Sequence, residues 1–286
     1  MAFPDPDRDV LSRFVSALFP RADPGGFVSI RAFLDDGDGV FAASAWSGIP
    51  VADRDSLVDA AFRLARRCAA AREKTVFCPP IATFRTPTSA AESDLANGLA
   101  LVIECDRHPR RAVADLSDLL GPATIVVASG GLWSDPETGA VEEKLHAYWR
   151  LSSPTRTSQD HATLAEARRL AAAYVGADPT SGPICHPIRW AGSWHRKAEP
   201  RLTRIVAEAD REIILSDALE TLRSAAPSAI SAAGDDDDDD ADLPPPPLAD
   251  VRSAVAAIPN ADLDWDAWNN VGMAIFRATE GSEDGL

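Results

Sequence analysis

Glu104 and Asp106 are separated by one residue and follow an apolar run, Leu99-Ala100-Leu101-Val102-Ile103. In a strand, alternate residues project from one face, so both carboxylates would point the same way at the strand's end. Two adjacent negative charges beside a buried strand are costly unless a cation joins them. Hard divalent ions take carboxylate oxygens, and ions held in pairs drive phosphoryl transfer. The plainer reading of the same residues is a strand that ends in a solvated acidic turn, Asp106-Arg107-His108-Pro109.

Two further clusters bear on that choice. From Lys144 to Leu151 the sequence alternates: Leu145, Ala147, Trp149 and Leu151 share one face of a strand, and Lys144, His146, Tyr148 and Arg150 share the other. The apolar set should pack on a core, and the second set should lie on an open sheet face. Lys144 supplies a point charge with three donors and His146 a ring donor, both suited to a triphosphate. The stretch Arg189-Trp190-Ala191-Gly192-Ser193-Trp194-His195-Arg196-Lys197 combines potential cations with a glycine that lets backbone N–H groups approach phosphate. Arginine can grip phosphate with two parallel hydrogen bonds, and tryptophan can stack on a base, although beside a strand it is more often core. A solvated face with a satisfied histidine and an ordinary basic turn are the structural alternatives.

These groups need a scaffold. Val10, Phe14 and Leu18 predict an amphipathic helix over 7–18. Residues 26–34 and 39–46 read as a pair of strands. Asp53 or Asp55 can cap a helix reaching Arg72, with Leu57, Ala61, Leu64 and Cys68 inward and Arg63, Arg66, Arg67 and Arg72 solvated. Residues 99–103 read as a buried strand and 111–120 as a helix. A second buried strand, 124–128, is closed by Ser129-Gly130-Gly131 and forms a long-looped antiparallel hairpin with 144–151. A helix over 159–175 ends at Gly176, strands follow at 187–191 and 201–208, and another helix opens at Ser216. Helices interleaved with hairpin-joined strands predict a mixed α/β (α+β) domain rather than a purely parallel doubly wound sheet.

The 286 residues fit one large domain or two smaller ones. No apolar run reaches the ~20 residues of a membrane helix, and the N-terminus lacks the basic and apolar regions of a signal peptide. Cys68, Cys78, Cys105 and Cys185 form no C-x-x-C pair and read as reduced thiols of a cytoplasmic protein. A zinc site on Cys185 and His186 is a minor alternative. Of the net charge of −16, residues 235–286 carry −12 (14 Asp and Glu against 2 Arg), which leaves −4 for the first 234 residues. The front portion can therefore present a local basic groove. The run Asp235 to Asp240 followed by Pro244 to Pro247 marks a self-repelling, extended linker. The expected organisation is a domain over 1–225, a linker over 226–248, and a partial α-helical unit over 249–286, carrying Val251, Val255, Ile258, Trp265, Trp268, Val271, Met273 and Ile275. So small a tail buries little core alone, so the chain is expected to be a fragment of a longer protein.

Taken in order, the three clusters resemble the archaeo-eukaryotic primase superfamily, in the primase-polymerase branch found on phages, plasmids and integrated elements. Glu104-Cys105-Asp106 resembles its acidic metal motif. Ser129-Gly130-Gly131 with Lys144-Leu145-His146-Ala147-Tyr148-Trp149 resembles its second motif, and Arg189 to Lys197 its third. Ile258-Pro259-Asn260 and Trp265 to Ala274 are similar to a type 2 primase C-terminal domain. The likeness spans about residues 75–205 and 250–286. It departs from the pattern in having Glu104 where Asp is usual and Ala191 where proline is usual, and its third acid is not obvious, Asp178 being the nearest candidate.

The resemblance implies a catalytic core with RRM-like strands and template-directed nucleotidyl transfer, making primers or extending DNA in replication of a mobile element. It implies Mg²⁺ or Mn²⁺ on Glu104, Asp106 and Asp178. Ser129, Lys144, His146, Arg189 and Lys197 would hold the nucleoside triphosphate, with His146 also serving catalysis. It implies a single-stranded DNA template and a helicase portion in the full-length protein. A catalytically silent single-stranded-DNA-binding replication-initiation module and a metal-dependent nuclease remain open alternatives.

Overall fold

The computed structural model describes residues 5–34, 48–72, 74–178, 182–197, 199–234 and 248–257. In chain order the elements are α1 (Arg8–Leu18), β1 (Phe27–Ser29), β2 (Ala32–Leu34), β3 (Gly48–Pro50), α2 (Arg54–Ala70), β4 (Thr75–Phe77) and β5 (Ala82–Phe84). Then come β6 (Leu95–Gly98), β7 (Ala100–Cys105), α3 (Pro109–Leu120), β8 (Ile125–Ser134), β9 (Val141–Arg150) and α4 (Ser158–Tyr174). The last are β10 (Trp194–His195), β11 (Arg201–Leu202), β12 (Arg204–Glu208), α5 (Leu215–Gly234) and α6 (Leu248–Ala257). Two compact units result, Met1–Ala232 and Ala233–Leu286. The second contains α6; all that follows concerns the first.

Helices α1, α2 and α4 start where side chains take up free backbone N–H groups. Asp7 accepts from the Val10 N–H and Asp53 from the Ser56 N–H, each at 3.0 Å. At α4, Thr157 and Asp160 form a reciprocal capping box. Each such cap is worth about 1 kcal/mol.

The central sheet has the order β12-β8-β9-β7 and is antiparallel throughout. It separates two cores. Leu101, Ile103, Cys105, Leu145, Ala147 and Trp149 pack with Leu116 of α3, Leu164 of α4 and Leu219 of α5. On the other face, Val102, Ile125, Val127 and Tyr148 pack with Leu11 and Phe14 of α1, Leu57 and Leu64 of α2, and Trp190. The face of β9 expected to be open is therefore covered along most of its length. The sequence alternation correctly divides the two sides, but it does not say what covers each. Tyr148 is fully buried beneath Phe14, at 5.3 Å between ring centroids. Arg150 is held by Glu212, Asp210 and the carbonyl of Ala17, so it is a structural cation.

β8 and β9 form the expected hairpin, but Ser129-Gly130-Gly131 does not end β8. It bulges: Ala128 pairs with Leu145 and Leu132 with Glu143, so β8 spends two extra residues there. Gly130 has φ of +87°, and a Cβ on it would lie 2.4 Å from the Cβ of His195. The bulge thus packs directly against β10.

Three other expectations change. Residues 187–190 join no sheet. Pro187 lacks an N–H, and the carbonyls of Arg189 and Trp190 accept from Tyr148, Ser193 and Thr203 hydroxyls instead of a neighbouring strand. The strand expected over 26–34 breaks into β1, which pairs with β3 and β5, and β2, which pairs with β4. α5 continues to Gly234, through residues assigned to the linker's start. The strand expected at 39–46, the linker residues 235–247 and the motif from Ile258 onward, including Trp265, Trp268, Val271, Met273 and Ile275, lie outside the described residues. Among the described residues, no helix is long and apolar enough to cross a membrane.

One buried cation ties the sheet to the loop after α4. Arg168 of α4 is 2% exposed and donates to the carbonyls of Ala100, on β7, and Pro183, each at 2.9 Å. Burial lowers its guanidinium to about 10, which leaves it charged at neutral pH.

Candidate active site

The register of β7 against β9 places Glu104 opposite His146, and Lys144 follows beside Asp106. These four groups occupy the end of the sheet that α1 and α2 leave uncovered. Around them is a cavity of about 470 Å³. The β8 bulge contributes Ser129 and Gly131, and the segment after α4 contributes His186, Pro187, Arg189, His195 and Lys197. Phe33, Leu34, Val76 and Cys78 form an apolar wall. Three segments distant in sequence thus converge on one cavity. It contains Glu104, Asp106, Ser129, Lys144, His146, Arg189 and Lys197, all of the residues expected there except Asp178.

Asp178 is exposed and lines an adjoining recess together with Asp106, Arg107, Trp133 and Lys144. It does not line the cavity of Glu104. The neighbours of Glu104 are histidines: Nε2 of His186 donates to Oε1 at 2.9 Å, and Nε2 of His146 lies 3.5 Å from Oε2. Nζ of Lys144 donates to Oδ2 of Asp106 at 2.9 Å. His195 enters the cavity from the third cluster, whereas His186 and Cys78 line it with no local sequence pattern that assigns them there. His186 lies in a segment without periodicity, and only its neighbour Cys185 drew attention to it. Among the described residues, no group of three His, Cys, Asp or Glu side chains could hold a metal ion, so the Cys185–His186 zinc alternative has no support. Trp190 and Arg196 of the third cluster are structural. Trp190 is fully buried against Phe14, Phe19 and Phe77, and Arg196 donates to the carbonyls of Cys68 and Ala71 at the end of α2.

The electrostatics follow from burial. Burial alone would raise the Glu104 carboxyl, but the His186 hydrogen bond, followed by the influence of His146, His186 and lastly Arg189, outweighs it and holds the group below its ordinary value. Burial pushes the His146 imidazole below its ordinary value, against the pull of Glu104, so the ring is neutral at pH 7. Its Nδ1 is buried without a hydrogen-bond partner among the described residues. Burial pushes the Cys78 thiol up to about 12, so it serves as wall and not as nucleophile.

The donor set can be tested against a divalent ion. Mg²⁺ is usually held by one or two carboxylates, with substrate phosphates and water completing the shell. Glu104 and Asp106 supply that number of carboxylates beside a cavity also lined by Lys144, Arg189 and Lys197. Lys144, a full positive charge, already rests on Asp106 where such an ion would bind. The residues fit a site that substrate completes, not an all-protein cage.

No protein-family model and no curated protein sequence matches the chain. Solved structures do. The AEP domain of the primase-polymerase of cyanophage S-2L superposes with a TM-score of 0.52 at 17% identity, covering 77% of this chain and all of that one. The catalytic domain of primase RepB′, solved with initiator DNA, superposes with a TM-score of 0.48 at 14% identity, covering 79% of this chain and 98% of that one. With its helix-flanked antiparallel sheet and its cavity at the sheet's open end, this chain has the fold of the archaeo-eukaryotic primase (AEP) domain of primase-polymerases.

Proposed function

We propose that the chain is a DNA primase-polymerase, adding nucleotides from nucleoside triphosphates to a strand paired with a single-stranded DNA template. One observation carries this reading. Two carboxylates and the phosphate-binding groups Lys144, His146, Arg189 and Lys197 come from three separate segments to line one cavity, on a fold shared with a primase-polymerase.

Lys144, Arg189 and Lys197 bind the triphosphate oxygens as point charges and a guanidinium fork. Neutral His146 donates one ring N–H to a phosphate oxygen. Ser129, whose hydroxyl donates to the Lys144 carbonyl at 3.2 Å, fixes the strand that carries the lysine. Glu104 and Asp106 would hold Mg²⁺ or Mn²⁺, with Asp178 at most an outer contributor from its recess. When bound, such ions neutralise charge on the phosphates and lower the barrier to attack. The oxygen of a 3′-hydroxyl bonds to the α-phosphorus, the bond from that phosphorus to its bridging oxygen breaks, pyrophosphate leaves, and the hydroxyl proton passes to water. The family resemblance extends the reading to cytoplasmic replication of a mobile element, alongside a helicase portion.

The test is incubation with primed and unprimed single-stranded template, labelled triphosphates and Mn²⁺ or Mg²⁺. Extension by the wild type, abolished in Asp106→Ala, supports the reading. Equal extension by both proteins refutes the carboxylate assignment. Shortening of the DNA identifies a nuclease. One feature favours a second reading, a silent single-strand-binding module: both carboxylates already have partners within the protein, Lys144 and His186. Retention of template with neither extension nor shortening would establish it.

A further inference from the structure

A polymerase needs two substrates at one pair of carboxylates, and the triphosphate cavity accounts for one. The Asp106–Lys144 pair also borders a second recess, of about 460 Å³. That volume is within the range of about 300–1,000 Å³ typical of small-molecule sites. Its other walls are Arg107, Trp133 and the segment Gly176-Ala177-Asp178 after α4.

The chemistry of those walls is that of a nucleotide seat. An indole offers a stacking surface to any base, and an exposed guanidinium offers a fork to a backbone phosphate. The backbone nearby is held in an unusual state. His108, two residues past Asp106, has φ of +40°, the one positive value outside glycine among the described residues. Its ring packs on Trp133 with centroids 4.3 Å apart, and its Nδ1 lies 4.0 Å from Asp135. A left-handed non-glycine residue persists where its surroundings require it, commonly at ligand clamps. Here it turns the chain directly after the carboxylates, so that Arg107 lines the recess and His108 braces the indole.

We propose that this recess seats the 3′-terminal nucleotide of the strand being extended, its base on Trp133 and its phosphate on Arg107. Asp178 at the rim offers an acceptor to a sugar hydroxyl or a base amino group. This assignment rests on the polymerase reading, because it is the attacking hydroxyl that must reach Asp106. It also gives Asp178 a role other than third ion ligand.

The experiment uses the full chain and a primed template whose 3′-terminal base is 2-aminopurine, a fluorophore quenched by stacking. Trp133→Ala, Trp133→Phe and Arg107→Ala are compared with the wild type for quenching and, with Mn²⁺, for the KM of primed template and of triphosphate. Losing one stacked base costs about five-fold or more in affinity. Trp133→Ala should therefore lose the quenching and raise the KM for primed template about five-fold or more, with the KM for triphosphate unchanged. Trp133→Phe should restore most of both, and Arg107→Ala should raise the KM for primed template. A wild type that extends the primer, with Trp133→Ala matching it in quenching and KM, overturns the seat and leaves the polymerase reading standing. Trp133-dependent quenching without extension supports the recess as a nucleotide site and overturns the polymerase reading. Neither quenching nor extension overturns both.

Discussion

Replacing Lys144 with alanine separates the two things its ammonium can do. Nζ sits 2.9 Å from Oδ2 of Asp106, with the lysine side chain 31% and the aspartate 41% exposed. An ion pair that open to water contributes about 0–1 kcal/mol to folding. Lys144→Ala should therefore lower the unfolding free energy by no more than about 1 kcal/mol in urea denaturation. A charged hydrogen bond from the same ammonium to a triphosphate oxygen is worth about 1.5–3 kcal/mol, or about 10- to 150-fold in Kd. Titration with a fluorescent, non-hydrolysable nucleoside triphosphate and Mn²⁺ reads that loss. The variant also frees Asp106 of a competing cation, so its affinity for Mn²⁺ alone should not fall. A stability loss above about 2 kcal/mol with unchanged triphosphate affinity would make Lys144 a structural strut and refute the reasoning.

Arg168→Met removes a buried donor from the Ala100 carbonyl and one of two donors from that of Pro183, which keeps the His186 N–H at 3.1 Å, and should cost roughly 1–3 kcal/mol, read from the urea midpoint; a loss under about 0.5 kcal/mol would show that water replaces the guanidinium. Gly130→Ala should cost at least about 2 kcal/mol, since it forces a left-handed alanine against His195; a change within about 0.5 kcal/mol would mean the bulge relaxes freely. The Glu212 carboxyl is held below its ordinary 4.5 chiefly by the Arg21 hydrogen bond, with the Arg150 and Arg21 charges adding to it. A depressed carboxyl contributes stability above its unfolded value and loses it as pH falls through the lower folded one. Glu212→Gln should thus be less stable than wild type at pH 7, with the gap closing below pH ~4; a gap independent of pH would assign the loss to packing. A chain ending at residue 234 should extend a primed template at close to the full-length rate, and loss of extension in a folded truncation would place the tail in the active site.

The sequence showed most clearly what depends on local chemistry. Apolar alternation from Leu145 to Leu151 divided the faces of β9 correctly, because strand geometry alone decides which side a residue takes. Alternation put Glu104 with Asp106 and Lys144 with His146 on one face of their own strands, but the pairing of β7 with β9 that brings the two pairs together is not written in their spacing. What covers a face depends on distant segments, so Arg150 read as an open cation until α1 and the Asp210–Glu212 segment enclosed it. His186 illustrates the same limit. Its carboxylate partner is 82 residues away, and nothing in the local pattern points to it. Residues 187–191 misled for another reason. Their composition suits a strand, but hydroxyls of Tyr148, Ser193 and Thr203 take the carbonyls that a sheet neighbour would need.

The bulge at Ser129-Gly130-Gly131 sets which changes of chain length this site can tolerate. Its two extra residues preserve alternation, so Trp133, opposite Glu142, stays on the same side of the sheet as Lys144. Inserting or deleting one residue there would turn Trp133 over, toward the side where Val126 and Ala128 pack. Inserting or deleting two would keep its side and slide it along β9 by about 6.6 Å. Indels at this hairpin should therefore survive in even numbers, each even step shifting Trp133 along β9 relative to Lys144 and so reshaping the recess that both line.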